Sequence, residues 1–146
     1  MKSVLIIGMG KFGHQLCESL LEFDNQVMIV DVDETKVEDL MSKVTTALVA
    51  DCRKENVLEN IGVSEFDICF VCIGDTFQSN LEITSLLKEL GAKKVVSLSR
   101  TDMHTKFLLR NGADDIIYPD RDAAIRASVK FSKDNLYDYI ELEKGY

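Results

Sequence analysis

This sequence predicts an α/β fold: a doubly wound, six-stranded parallel sheet in the order 3-2-1-4-5-6. Three observations carry the prediction. The chain opens on an apolar run, Val4-Leu5-Ile6-Ile7, that feeds directly into Gly8-Met9-Gly10-Lys11-Phe12-Gly13. A second apolar run, Val27-Met28-Ile29-Val30, ends in Asp31, 18 residues after the last glycine of that motif. Further apolar runs then alternate with helical patterns along most of the chain. Strand, glycine turn, helix, strand and terminal acid form the context in which G-x-G-x-x-G signals a nucleotide pyrophosphate site.

Taken in order, the strands are expected near 2–7, 26–30, 45–49, 67–73, 94–98 and 115–118. They read as continuous Val, Ile, Leu and Cys runs, as strands do when helices cover both faces of a sheet. The first helix places Phe12, Leu16, Leu20 and Phe23 on one side. A later one carries Ile83, Leu86, Leu87 and Leu90 at i, i+3, i+4 and i+7 and stops at Gly91. Another spans about 103–111 and ends at Asn111-Gly112, and one more covers 121–131 after the single proline, Pro119. Short connections between repeated βα units give the Rossmann arrangement. Residues 1–131 are expected to form this nucleotide-binding domain. From 132 on, Ser132-Lys133-Asp134-Asn135 reads as a break, and Leu136 to Leu142 is too apolar for a free tail. That segment predicts a linker toward a further C-terminal domain, or an oligomer contact.

At 146 residues the chain has the size of one domain with a full core. Hydrophobic residues make up 46% and charged residues 29%, the balance of a folded globular protein. A net charge of −8 argues against nucleic acid as a partner, because nothing could neutralise a run of phosphates. No apolar run approaches bilayer length, and Met1-Lys2-Ser3 leads straight into a strand, which predicts a cytoplasmic chain that serves any membrane process by docking. Of the four cysteines, Cys69 and Cys72 imitate C-x-x-C, but residues three apart on a strand point to opposite faces, so they read as core. Cys17 belongs to the inner side of the first helix, and Cys52, in a loop, is the one candidate reactive thiol.

The site is expected along the carboxyl ends of the strands. Gly8 permits the tight turn, Gly10 lets the backbone approach a pyrophosphate, and Gly13 lets the helix pack closely on the sheet. Asp31 would accept hydrogen bonds from ribose hydroxyls and repel a 2′-phosphate, and Val32, Asp33 and Glu34 bring no arginine. That pattern favours adenine nucleotides or NAD(H) over NADP(H). Lys11 opposes the helix dipole unless an anion is bound, so it reads either as a phosphate contact or as a solvated lysine. Asp51 suits adenine or the cap of the following helix equally well. Ile73 and Gly74 end the fourth strand facing the switch point. Phe12, Val32, Cys52 and Arg100 complete the candidate nucleotide contacts. No His/Lys/Tyr set marks a proton donor for hydride transfer, which points to sensing rather than catalysis. Two alternatives stand beside it: the NAD-binding domain of an oxidoreductase lacking its catalytic half, and a thiol redox sensor built on Cys52.

The Gly8–Gly13 motif, Asp31-Val32-Asp33 and Ala50-Asp51 fall into a longer pattern with Cys72-Ile73-Gly74, Asn111-Gly112-Ala113-Asp114, Ile117-Tyr118-Pro119 and Tyr139-Ile140-Glu141-Leu142. Over residues 2–142 this resembles the RCK (KTN, TrkA-N) domain of the Trk/Ktr potassium-uptake regulatory proteins, closest to the KtrA type. The resemblance implies a regulatory subunit rather than an enzyme. Such subunits pair as homodimers and assemble into octameric rings beneath a potassium-translocating membrane subunit, and exchange of ATP for ADP, or of NADH for NAD, changes ring shape. It also implies a Mg or Ca site at the dimer interface, held by the acid after the proline, here Asp120. Three departures stand out. Leu98 replaces a basic residue of the fifth strand, with Arg100 nearby but expected to point differently. Arg53 replaces a threonine. The family's C-terminal ligand-binding domain has no counterpart in this sequence.

Overall fold

A computed structural model describes residues 1–132. The elements are β1 (Ser3–Ile7), α1 (Lys11–Glu22), β2 (Gln26–Asp31), α2 (Glu34–Glu38), β3 (Thr46–Val49), α3 (Glu55–Ile61), a 3-10 turn (Val63–Glu65), β4 (Ile68–Val71), α4 (Phe77–Glu89), β5 (Val95–Leu98), α5 (Asp102–Arg110), β6 (Asp115–Ile117) and α6 (Pro119–Ser132). The expected segment beyond Ser132, including Tyr139 to Leu142, lies outside the described residues. All six strands pair in parallel, in the order β3-β2-β1-β4-β5-β6. The doubly wound prediction therefore holds, with each strand within two residues of its expected ends.

Alternation along β1 shows why both sheet faces are covered. Leu5 and Ile7 join a core with Leu58 of α3 and Ile83 and Leu87 of α4. Val4 and Ile6 point the other way, to Cys17 of α1 and Val37 beyond β2. Leu5 and Ile6 are fully buried on these opposite faces, and each such side chain contributes about 1.5–3 kcal/mol. Cys69 and Cys72 divide between the same two cores, as a three-residue spacing on a strand requires. Phe23 departs from expectation and is 75% exposed. It occupies the position after α1, where the backbone has left helical geometry (φ −98°, ψ 21°), so the helical face no longer carries it inward.

The Asn111-Gly112-Ala113-Asp114 turn has two steric reasons for its glycine. Gly112 sits at φ +122°, and a Cβ there would fall 2.5 Å from Lys88 Cβ. Asp114 then locks the turn to β5, its carboxylate accepting from Val95 N–H at 2.8 Å and its own N–H donating to the Val95 carbonyl at 2.8 Å. Pro119 begins α6, a position where its missing N–H costs nothing. Arg121 ties that helix to α5 through Asp102 at 2.8 Å while lying 4.0 Å above the Tyr118 ring.

Asn80 of α4 is buried and holds together the strand ends that frame the site. Its Nδ2 donates to the carbonyls of Ile73 (3.0 Å) and Leu98 (2.9 Å), joining the exits of β4 and β5. Thr84 donates to Asn80 Oδ1 at 3.2 Å and stands 2.7 Å from Ser97 Oγ. Asn80→Ala leaves two carbonyls without this donor and is expected to cost about 2 kcal/mol, read as a lower urea midpoint at unchanged m value; an unaltered midpoint would show that the amide does not brace the strands.

Candidate functional site

The first turn is built from glycines doing three different things. Gly8 adopts φ +101°, its N–H donates to the Val30 carbonyl at 2.8 Å, and a Cβ would stand 2.9 Å from the Cys72 carbonyl oxygen. Gly13 is forced by contact: a Cβ there would lie 2.0 Å from the Gly8 carbonyl oxygen, so α1 packs onto the turn itself. Gly10 has neither constraint. Its backbone is ordinary extended chain (φ −67°, ψ −169°), and a Cβ would meet nothing within 4 Å. It opens onto a cavity of about 570 Å³. At the start of α1 no side chain caps the first amides and no acid stands in the first turn, which leaves an anion-accepting helix end.

Asp31 holds this turn from the next strand. One carboxylate oxygen accepts from Met9 N–H at 2.7 Å, the other from Asp33 N–H at 2.8 Å. Each oxygen keeps a second acceptor site. The cavity spans the sheet's point of reversal. Val32, Asp51 and Cys52 line it at the β2–β3 end, Lys11 and Phe12 in the middle, and Ile73, Gly74 and Arg100 at the β4–β5 end. Gly8, Gly10 and Asp31 line it as well, whereas Gly13 is packed behind it and Asp120 stands apart.

Three sequence expectations change on this geometry; the fourth residue, Asp120, is expected to act only between two subunits. Arg100 does turn toward the cavity, where its Nε donates to the Gly74 carbonyl at 2.8 Å. Leu98, the last residue of β5, also lines the cavity. Asp51 does not cap α3: the cap position is Lys54, without a side-chain bond, and Asp51 instead accepts from Arg53. Those bonds hold its carboxyl below the usual carboxylate range. Cys52 is not a reactive thiol. It is 2% exposed, and burial, helped by the Asp51 and Asp31 carboxylates, pushes it from the ordinary 9.0 up to about 12. Asp120 is a fully exposed carboxylate 3.8 Å from the Arg100 guanidinium. Among the described residues no group of three or more His, Cys, Asp or Glu could hold a metal ion, so one chain by itself does not fit a divalent cation there.

Lys36 and Ser79, which the sequence does not single out, also line the cavity, as do Asp75 and Thr76, which follow Gly74 at the same edge. Thr76 and Ser79 follow from the direction of α4, whose N-terminal end borders the cavity and whose cap position, Thr76, makes no side-chain bond. Lys36 lies on α2, a helix of five residues, too short for periodicity to orient.

Residues 4–119 match the family profile described as the TrkA-N domain. The chain belongs to the TrkA-N family. It is 37% identical over 145 residues to Ktr system potassium uptake protein C of Bacillus subtilis, covering 99% of this chain and 66% of that protein. It is 34% identical to Ktr system potassium uptake protein A of the same organism, with 99% and 65% covered. This TrkA-N chain thus spans just under two thirds of the length of those relatives. Among solved structures, the TrkA-N domain of the inner membrane protein ybaL from Escherichia coli superposes with a TM-score of 0.78 at 17% identity, covering 90% of this chain and 97% of that one. The Shewanella denitrificans Kef CTD in its AMP-bound form gives 0.73 at 20% identity, with 98% and 87% covered. The GsuK channel bound to NAD gives 0.66 at 14%, with 80% and 21% covered. At these identities the likeness is one of fold. Among the described residues no helix is long and apolar enough to cross a membrane.

Gly10 and Gly13 should separate in experiment. Gly13→Ala is expected to lower the melting temperature sharply and Gly10→Ala to leave it unchanged; equal effects would mean that Gly10 is a packing residue. The thiols of Cys52, Cys69 and Cys72, all pushed to about 12, should resist iodoacetamide in the folded protein near pH 8. Above the ordinary 9.0 the unfolded chain ionises first, so stability present below pH 9 should be lost between pH 9 and 12. Rapid native labelling of Cys52 would overturn this burial.

Proposed function

We propose that this chain is the nucleotide-sensing domain of a regulatory subunit in a potassium-uptake system, and not an enzyme. An adenine nucleotide, ATP or ADP, or else NAD(H), occupies the cavity. Its phosphates lie over Gly10 and the first turn of α1, its ribose against Asp31, and Lys11 and Arg100 supply positive charge to the phosphates. The observation that carries this reading is Gly10: the chain itself gives no steric reason for a glycine, yet the position faces the cavity at an uncapped helix end. Support comes from the potassium-uptake names of its relatives and from the AMP and NAD in the solved structures named above.

The mechanism is linkage. A nucleotide shifts the state of an assembly only by binding its states with different affinity. Homodimers assembled into an octameric ring at the cytoplasmic face, beneath a potassium-translocating membrane subunit, would bring the same site into several subunits at once. A third phosphate reaching Lys11, in the same subunit or a neighbour, is the difference ATP offers over ADP.

Calorimetric titration with ATP, ADP, NADH and NAD, with and without magnesium, tests the reading. At least one is expected to bind tightly, and Gly10→Val to abolish that binding at unchanged melting temperature. Discrimination between ATP and ADP would support the exchange mechanism. No binding by any of the four, or full binding by Gly10→Val, would overturn the site.

A further inference from the structure

Arg53 stands at the β3 end of the cavity with the geometry of a fixed plane rather than of a free cation. Its Nε donates to Asp51 Oδ1 at 3.1 Å and its Nη2 to Asp51 Oδ2 at 2.9 Å, while its backbone N–H donates to the same Oδ1 at 3.0 Å. Two side-chain bonds from one guanidinium edge to one carboxylate fix the plane as well as the position. The loop beneath is tied down too: Ala50 N–H donates to the Asp31 carbonyl and Lys54 N–H to the Asp51 carbonyl, both at 3.1 Å. One edge of Arg53 is therefore occupied, while the side chain remains 52% exposed and can present a face of its guanidinium plane.

The order of groups along the cavity decides what meets those faces. With phosphates over Gly10 and ribose at Asp31, the base continues outward past β2 toward β3. A phosphate is a poor occupant of that end, because the Asp51 carboxylate beside the guanidinium offsets its charge. A planar ring is a good one, since guanidinium groups stack on aromatic faces. Val32 and Ala50 line the same end and offer apolar surface.

We infer that Arg53 is the base-stacking platform of the site and that Asp51 is a positioning residue which holds that platform flat. The inference rests on the nucleotide-binding reading above. It makes Arg53, absent from the sequence-derived contacts, a determinant of affinity for the base and not for the phosphates.

Titrations of AMP, ADP and ATP into wild type, Arg53→Ala, Arg53→Lys and the Asp51→Asn/Arg53→Ala double variant test it, with circular dichroism confirming that these surface changes leave the fold intact. Arg53→Ala is expected to weaken all three nucleotides by one common factor, roughly tenfold. Arg53→Lys, which keeps the charge but loses the plane, should behave like alanine. The double variant should bind no more weakly than Arg53→Ala, because Asp51 acts through Arg53. A loss that grows from AMP to ATP would make Arg53 a phosphate contact and overturn the inference, as would full rescue by lysine or a further loss in the double variant. If wild type binds none of the three, the nucleotide reading fails and this inference with it. If wild type binds and Arg53→Ala binds equally well, the inference alone fails.

Discussion

The contact on which this structure depends is the approach of α1 to the turn that precedes it. The helix comes so close that a single methyl group at Gly13 would sit 2.0 Å from the Gly8 carbonyl oxygen. That approach aims the uncapped amides of the helix start at the space above β1. Asp31 secures it from the neighbouring strand by drawing in the Met9 N–H at 2.7 Å. One packing constraint and one charge-assisted hydrogen bond thus set the centre of the cavity. The sheet order sets its sides, because connections leave β1 in opposite directions toward β2–β3 and toward β4–β5.

The two sides are braced by different chemistry. At the β4–β5 end, Asn80 spans the carbonyls of Ile73 and Leu98 from below, and Arg100 reaches the Gly74 carbonyl. At the β2–β3 end, Asp31 and Asp51 spend their carboxylates on backbone N–H groups and on Arg53. The chain carries a net charge of −8, yet Lys11, Lys36, Arg53 and Arg100 all line this one cavity. Asp31, Asp51 and Asp75 line it as well, so the cavity is close to balanced with a slight excess of cations, while the rest of the chain carries the acidic surplus. On the proposed reading, a ligand that touched both braced ends would couple to their relative position.

Much of the fold was legible because its signals are local. Apolar runs of four or more residues mark the central strands β1, β2 and β4, and the 18-residue interval from Gly13 to Asp31 fits one helix and one strand. Gly8, Gly10 and Gly13 were assigned separate roles from spacing alone, and the backbone at Gly8 and the packing at Gly13 agree with them. Periodicity places Phe23 on the inner face but does not say where a helix stops, and α1 ends one residue before it. The site was legible along the glycine turn and at Asp31, and less so at its two ends. A loop position marks Cys52 as accessible in the sequence, but that loop folds inward and places Cys52 in one core with Ala50 and Leu58, a long-range burial with no sequence period.

By itself, then, this sequence determined the strand order, the glycine turn, the acid that holds it and membership of a parallel sheet covered on both faces. These follow from hydrophobic periodicity and backbone sterics, which act over a few residues. Only the tertiary structure decided that Arg100 turns into the cavity onto Gly74, that Asp51 spends itself on Arg53, and that buried Asn80 joins two strand exits. Each depends on the direction of a long or polar side chain relative to elements distant in sequence. That direction is set by which partner a polar group finds once it leaves water, and the partner exists only when the sheet has formed.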